Sequence, residues 1–172
     1  SFDNGEHFAL DAEYLRVMED INSRDLEFVA HIGDTMFDPR PYERNPSLAR
    51  TPLTDENYAY VLGTFQSCRH PLVLTPGDND WSDAVQFQKV KVDPLERLAN
   101  LRATFYPKGR SLGQRTMAVA SQAQDPAHAA YVENLTWAVR GLRFATLHIV
   151  GSNDNARTSM DEHKARQAAV IA

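Results

Sequence analysis

The chain has 172 residues, a formal net charge of −5, 42% apolar and 24% charged residues. That balance fits one compact globular domain with a sizeable core; it excludes a disordered tract and argues against a general binder of the nucleic-acid backbone, which carries a basic face. A lone cysteine, Cys68, excludes an intramolecular disulfide, and no run approaches the ~18 consecutive apolar residues of a membrane span. The chain starts at Ser1 rather than Met, without a basic and then apolar leader, so a processed, soluble and extracytoplasmic protein is one expectation.

Leu10, Tyr14, Val17, Met18 and Ile21 recur at helical spacing among charged neighbours and predict an amphipathic helix. Leu26 to Ile32 reads as a strand ending at Gly33-Asp34. Pro39, Pro41, Pro46 and Pro52 then predict a long irregular loop, a kind of segment that often carries function. Thr54 is a helix N-cap, Asp55 and Glu56 complement the helix dipole, and Tyr58, Val61, Leu62 and Phe65 form the apolar face. Pro71 to Thr75 is a second short strand, closed by Gly77-Asp78. Asp93-Pro94 caps and opens another helix, continued by Leu95, Leu98, Leu101 and Phe105. Beyond Thr116 the residues favour strands: Met117 to Gln122, Tyr131 to Val139 and Leu142 to Val150, the last two joined as a hairpin about Arg140-Gly141. Asp161 to Ala172 reads as a closing helix. The first half predicts a parallel βαβ unit, with functional loops beyond the carboxyl ends of its strands.

Two motifs sit at those ends. In His31-Ile32-Gly33-Asp34-Thr35 the strand delivers a carboxylate while glycine lets the backbone turn tightly. Thr75-Pro76-Gly77-Asp78-Asn79-Asp80-Trp81 places two carboxylates and an amide oxygen within one turn of chain. Oxygen ligands of this kind suit hard divalent cations. Either motif alone reads as a turn or helix cap; two of them flanking one helix point to a shared site.

Gly33-Asp34 and Gly77-Asp78-Asn79-Asp80, with Asp93-Pro94-Leu95-Glu96-Arg97-Leu98, Glu133-Asn134 and His148-Ile149-Val150-Gly151-Ser152-Asn153, resemble the calcineurin-like metallophosphoesterases, in a bacterial branch with a Gly-Asp-Asn-Asp-Trp turn. The resemblance implies an α/β fold, a sandwich of two β-sheets flanked by helices. It implies phosphate mono- or diester hydrolysis by a hydroxide activated at two divalent ions, Mn, Mg, Fe or Zn, with Asp34 bridging them. Two registers stay open: Asp78 replaces the family's Asn ligand and Asn79 its His, or Asn79 is itself the amide ligand. No Asp-x-His block precedes Gly33 and no Gly-His-x-His block follows, so residues 1–172 are expected to form a partial domain lacking the opening strand and the C-terminal histidines. The alternative is a binding domain that keeps the fold without a complete site.

Asp80, Trp81, Asn153 and Arg40 are candidate contacts to a phosphate-ester substrate, and Arg44 shares the loop of Arg40. His31 either supports the metal turn or packs in the core, and His148 fits core packing. Asp161-Glu162-His163-Lys164 does not make a His-Glu-x-x-His zinc pattern, and no Gly-x-Ser-x-Gly elbow or phosphate loop occurs.

Overall fold

The computed structural model describes residues 8–36, 53–83, 85 and 91–172; Arg40, Arg44 and the proline-rich loop lie outside that set. Helix α1 (Phe8–Ser23) leads to strand β1 (Val29–His31), helix α2 (Asp55–Gln66), strand β2 (Leu72–Leu74) and helix α3 (Pro94–Phe105). Strand β3 (Ala120–Ser121), two 3-10 turns, strands β4 (Leu135–Val139) and β5 (Leu142–Ala145), the short helical segment α4 (Gly151–Asp154) and helix α5 (Met160–Ile171) follow. The chain is thus mixed α/β with two small sheets.

β1 and β2 pair in parallel, Val29 opposite Leu72 and His31 opposite Leu74, across α2 as the crossover. α2 starts where Thr54 accepts a hydrogen bond from the Asn57 N–H, and α3 starts where Asp93 accepts from Leu95 ahead of Pro94. Tyr14, Met18 and Ile21 of α1, with Tyr58, Val61, Phe65, Leu98, Leu101 and Phe105, bury one face of the sheet through Leu72 and Leu74. Val17, expected on that face, is 54% exposed. Because side chains alternate along a strand, Val73 turns the other way and packs with Val119, just before β3, and with Leu135 and Trp137 of β4.

That second sheet is antiparallel, in the order β3-β4-β5. Its hairpin closes on Arg140 (φ 49°) and Gly141 (φ 82°), the paired positive angles of a tight two-residue turn. The strand expected to run from Leu142 to Val150 ends at Ala145, because side chains take over the ladder. Thr146 Oγ1 accepts from Leu135 N–H and donates to Glu133 O, and Asn134 Oδ1 accepts from His148 N–H. The chain then leaves the sheet toward the end of β2, where Thr75 Oγ1 donates to Leu147 O at 3.1 Å. Among the described residues no helix is long and apolar enough to cross a membrane.

Candidate functional site

Parallel pairing brings the two glycine-carboxylate turns side by side. Gly33 has φ +82°, and a Cβ there would stand 2.2 Å from the Gly77 nitrogen. A Cβ on Gly77 would stand 1.9 Å from Asp34 Oδ1 and 2.8 Å from Asp34 N. Both positions therefore require glycine, and the following Asp34 is itself in the left-handed region at φ 56°.

Asp80 ties the turns together. It is 1% exposed, and its carboxylate accepts from Asp34 N–H (3.0 Å), Thr35 N–H (2.6 Å), Thr35 Oγ1 (2.6 Å) and Gly77 N–H (2.8 Å). Its backbone carbonyl accepts from the Tyr58 hydroxyl at 2.8 Å. The expectation that Asp80 meets substrate is corrected: its acceptor capacity is spent inside the fold. Trp81 is corrected likewise. It is fully buried in the helical core and meets the His148 ring edge-on at 6.1 Å.

Asp34 and Asp78 are in hydrogen-bond contact, and the Asn79 backbone N–H also reaches the Asp34 carboxylate. Burial, then the charges of Asp80 and Asp78, push the Asp34 carboxyl up to about 6. Asp83, unremarked in the sequence, belongs to the same group: burial, then Asp78 and Asp34, push its carboxyl up to about 6, and its Oδ1 is buried without a partner. Asn79 is half-buried on the same turn.

The other wall comes from the chain after β5. Gly151 lies against Asp78, where a Cβ would stand 2.5 Å from Oδ2, and Ser152 Oγ donates to the same oxygen at 3.2 Å. Ser152, Asn153, Asp154 and Asn155 all have φ between 53° and 57°, a left-handed turn of four non-glycine residues. Asn153 is exposed on that turn, whereas its neighbour Ser152 makes the contact with Asp78. Asn155 is buried and donates to Ser82 Oγ at 2.7 Å, which binds the turn to the Asp78 loop. The turn Gly151 to Asn155 reads from the sequence as one whose polar groups could reach the site, and Ser152 does so; no spacing rule announces Asp83, which only the meeting of distant segments reveals.

Behind this wall His148 is fully buried, and its Nδ1 pairs with the equally buried Glu133 at 2.9 Å. Arg102 clasps the same carboxylate in bidentate fashion, at 2.5 to 3.0 Å. Burial alone would raise the Glu133 carboxyl, but the hydrogen bonds from His148 and Arg102 hold it below its usual value. His148 thus supports the loop from the core. His31 plays a similar part at the other turn, its Nδ1 accepting the Gly33 N–H at 3.2 Å while burial lowers its pKa.

The donor set is of the kind that suits a hard cation: the Asp34 carboxyl, raised by burial and by the charges of Asp80 and Asp78, gains from a divalent partner. Among the described residues, however, no group of three or more His, Cys, Asp or Glu side chains converges as an ion cage. The Asp34 and Asp78 carboxylates could contribute to holding a cation, but the described residues do not make a full two-ion protein ligand set. No family model, curated protein or solved structure matches the chain.

Proposed function

We propose that the chain carries part of a metal-dependent phosphoesterase site in a sandwich of the calcineurin-like kind. The observation that carries this reading is the proximity of Asp34 and Asp78, two carboxylates at the ends of adjacent parallel strands whose glycine turns lie backbone against backbone. Two like charges so placed favour a shared proton or a shared cation. When bound, divalent ions supply Lewis acidity toward a phosphoryl oxygen and lower the pKa of water.

The chain's own residues divide the remaining work. Asp34 and Asp78 would hold the ion, and Asn79 offers an amide oxygen from the same turn. Asp80 fixes the separation of the two turns, and the Ser152 hydroxyl orients the outer oxygen of Asp78. Asn153 and Arg40 remain proposed contacts to the phosphate ester. An amide cannot donate a proton as an acid, so protonation of the leaving oxygen falls to water or to a residue beyond this turn.

The test is hydrolysis of a chromogenic phosphate monoester and diester with added manganese(II). Activity that vanishes in Asp34→Asn is the expected result, and activity unchanged in that variant sinks the reading. A second reading, a binding domain with this fold and an incomplete site, is favoured by the lack of a third converging ligand among the described residues. Manganese binding without turnover would select it.

A further inference from the structure

The loop that touches Asp78 is held from behind by a single guanidinium. Arg166, on α5, is fully buried. Its Nη1 donates to His148 O at 2.9 Å and to Asp154 Oδ1, its Nη2 donates to Asp154 O at 2.8 Å, and its Nε donates to Glu162 at 3.0 and 3.2 Å. Asp154 Oδ1 also accepts the Val150 N–H at 3.1 Å. The contacts therefore bracket residues 148 to 154, and the Gly151 and Ser152 that meet Asp78 lie between the brackets. Asn and Asp enter the left-handed region more readily than other L-residues, but as single residues, so a run of four that includes Ser152 persists only where surrounding contacts hold it.

We propose that Arg166 is a positioning residue for the cation site: it holds the left-handed turn against Asp78 and so sets the orientation of that carboxylate. The proposal rests on the preceding reading of Asp78 as a cation ligand. A structural ion pair would account for burial of Arg166 with Glu162 and Asp154 alone. It does not account for the same group grasping the main-chain carbonyls at both ends of the segment whose Ser152 meets the Asp78 carboxylate. A lysine at this position carries the charge but lacks the planar fork that reaches His148 O and both Asp154 acceptors together.

The experiment compares the wild-type chain with Arg166→Lys, with Asp154→Asn, which weakens the same clasp from the loop side, and with Leu101→Val. The last destabilises the helical core at a residue outside the clasp. Amide hydrogen exchange over residues 151–155 and manganese(II) affinity by titration of free-ion paramagnetic resonance are the two readouts. In Arg166→Lys, exchange over the turn should quicken by about tenfold or more, and the manganese Kd should weaken by about tenfold, the scale for groups that orient a ligand. Asp154→Asn should move both in the same direction, and Leu101→Val should leave the Kd unchanged. Unchanged exchange over the turn in both clasp variants overturns the proposal. So does an unchanged Kd alongside quickened exchange, or an equal loss in Leu101→Val. A wild-type chain that binds no manganese sinks the preceding reading, and the exchange comparison alone then upholds or overturns Arg166 as the holder of the turn.

Discussion

Asp80→Asn changes one atom of a side chain and should cost more than its size suggests. The native carboxylate accepts two hydrogen bonds on each oxygen: Thr35 N–H and Oγ1 on Oδ1, Asp34 N–H and Gly77 N–H on Oδ2. Asparagine keeps one acceptor oxygen. With its NH2 toward Thr35 the hydroxyl can turn to accept, but the Thr35 N–H then faces a donor in a pocket closed to water. Hydrogen bonds to a charged group contribute ~1.5–3 kcal/mol each, so this one lost bond costs about 1.5–3 kcal/mol. At ~2–4 °C per kcal/mol for a chain of this size, Tm falls by roughly 3–12 °C. Urea denaturation followed by circular dichroism reads the loss directly, with the slope m unchanged if the unfolded state is unaltered. The two turns should also separate, with manganese affinity falling in step. A loss under ~1 kcal/mol would refute the argument that Asp80 joins the turns.

The glycines provide a contrast. Gly33→Ala meets backbone at 2.2 Å in a left-handed conformation and should impair folding, while Gly151→Ala meets only a carboxylate tip at 2.5 Å and should keep Tm nearly unchanged yet weaken manganese binding. Parallel thermal melts and ion titrations separate the two. In metal-free protein, burial and neighbouring carboxylates raise the folded pKa values of Asp34 and Asp83 from the ordinary carboxylate range to about 6. The folded state therefore binds more protons than the unfolded one between about pH 4 and 6; these groups stabilise the fold below that window and lose their contribution as pH rises through 6. Denaturation midpoints against pH should show this slope, and Asp34→Asn should flatten it. Over the same window protons compete with the cation, so manganese affinity should fall as pH drops below 6. Glu133→Gln leaves Arg102 facing a neutral amide in the core and should cost about 3–5 kcal/mol in urea. A cost near zero would show that the Arg102 and His148 contacts do not stabilise the loop.

Much of the first half was legible because its signals are local. Thr54 and Asp93 cap helices where their own side chains reach the next turn, and the two short apolar strands pair in parallel because a helix separates them. Arg140-Gly141 announced its hairpin through a glycine that accepts positive φ. The misreadings have one cause, which is competition from distant groups. β-branched and apolar residues from Thr146 to Val150 promise a strand, but Asn134 and the Thr146 hydroxyl capture the main chain first. Asp80 and Trp81 follow a ligand turn in the sequence and so look like site residues. In the fold one is consumed by four donors and the other by the helical core. The left-handed turn at residues 152–155 has a partial local cause, since Asn153, Asp154 and Asn155 tolerate positive φ, but a run of four needs the clasp of Arg166, more than ten residues downstream.

The contact between Gly33 and Gly77 has a consequence for ion choice. Main chain rests on main chain there, so the spacing of the two backbones that carry Asp34 and Asp78 is set by atoms that no rotamer can adjust. A jaw of fixed width discriminates by ionic radius. It suits a small ion with oxygens at ~2.0–2.1 Å, such as magnesium, or one that is wider and looser at ~2.3–2.6 Å, such as calcium, but not both equally. Selectivity in this site would then be a property of two absent side chains rather than of the carboxylates themselves.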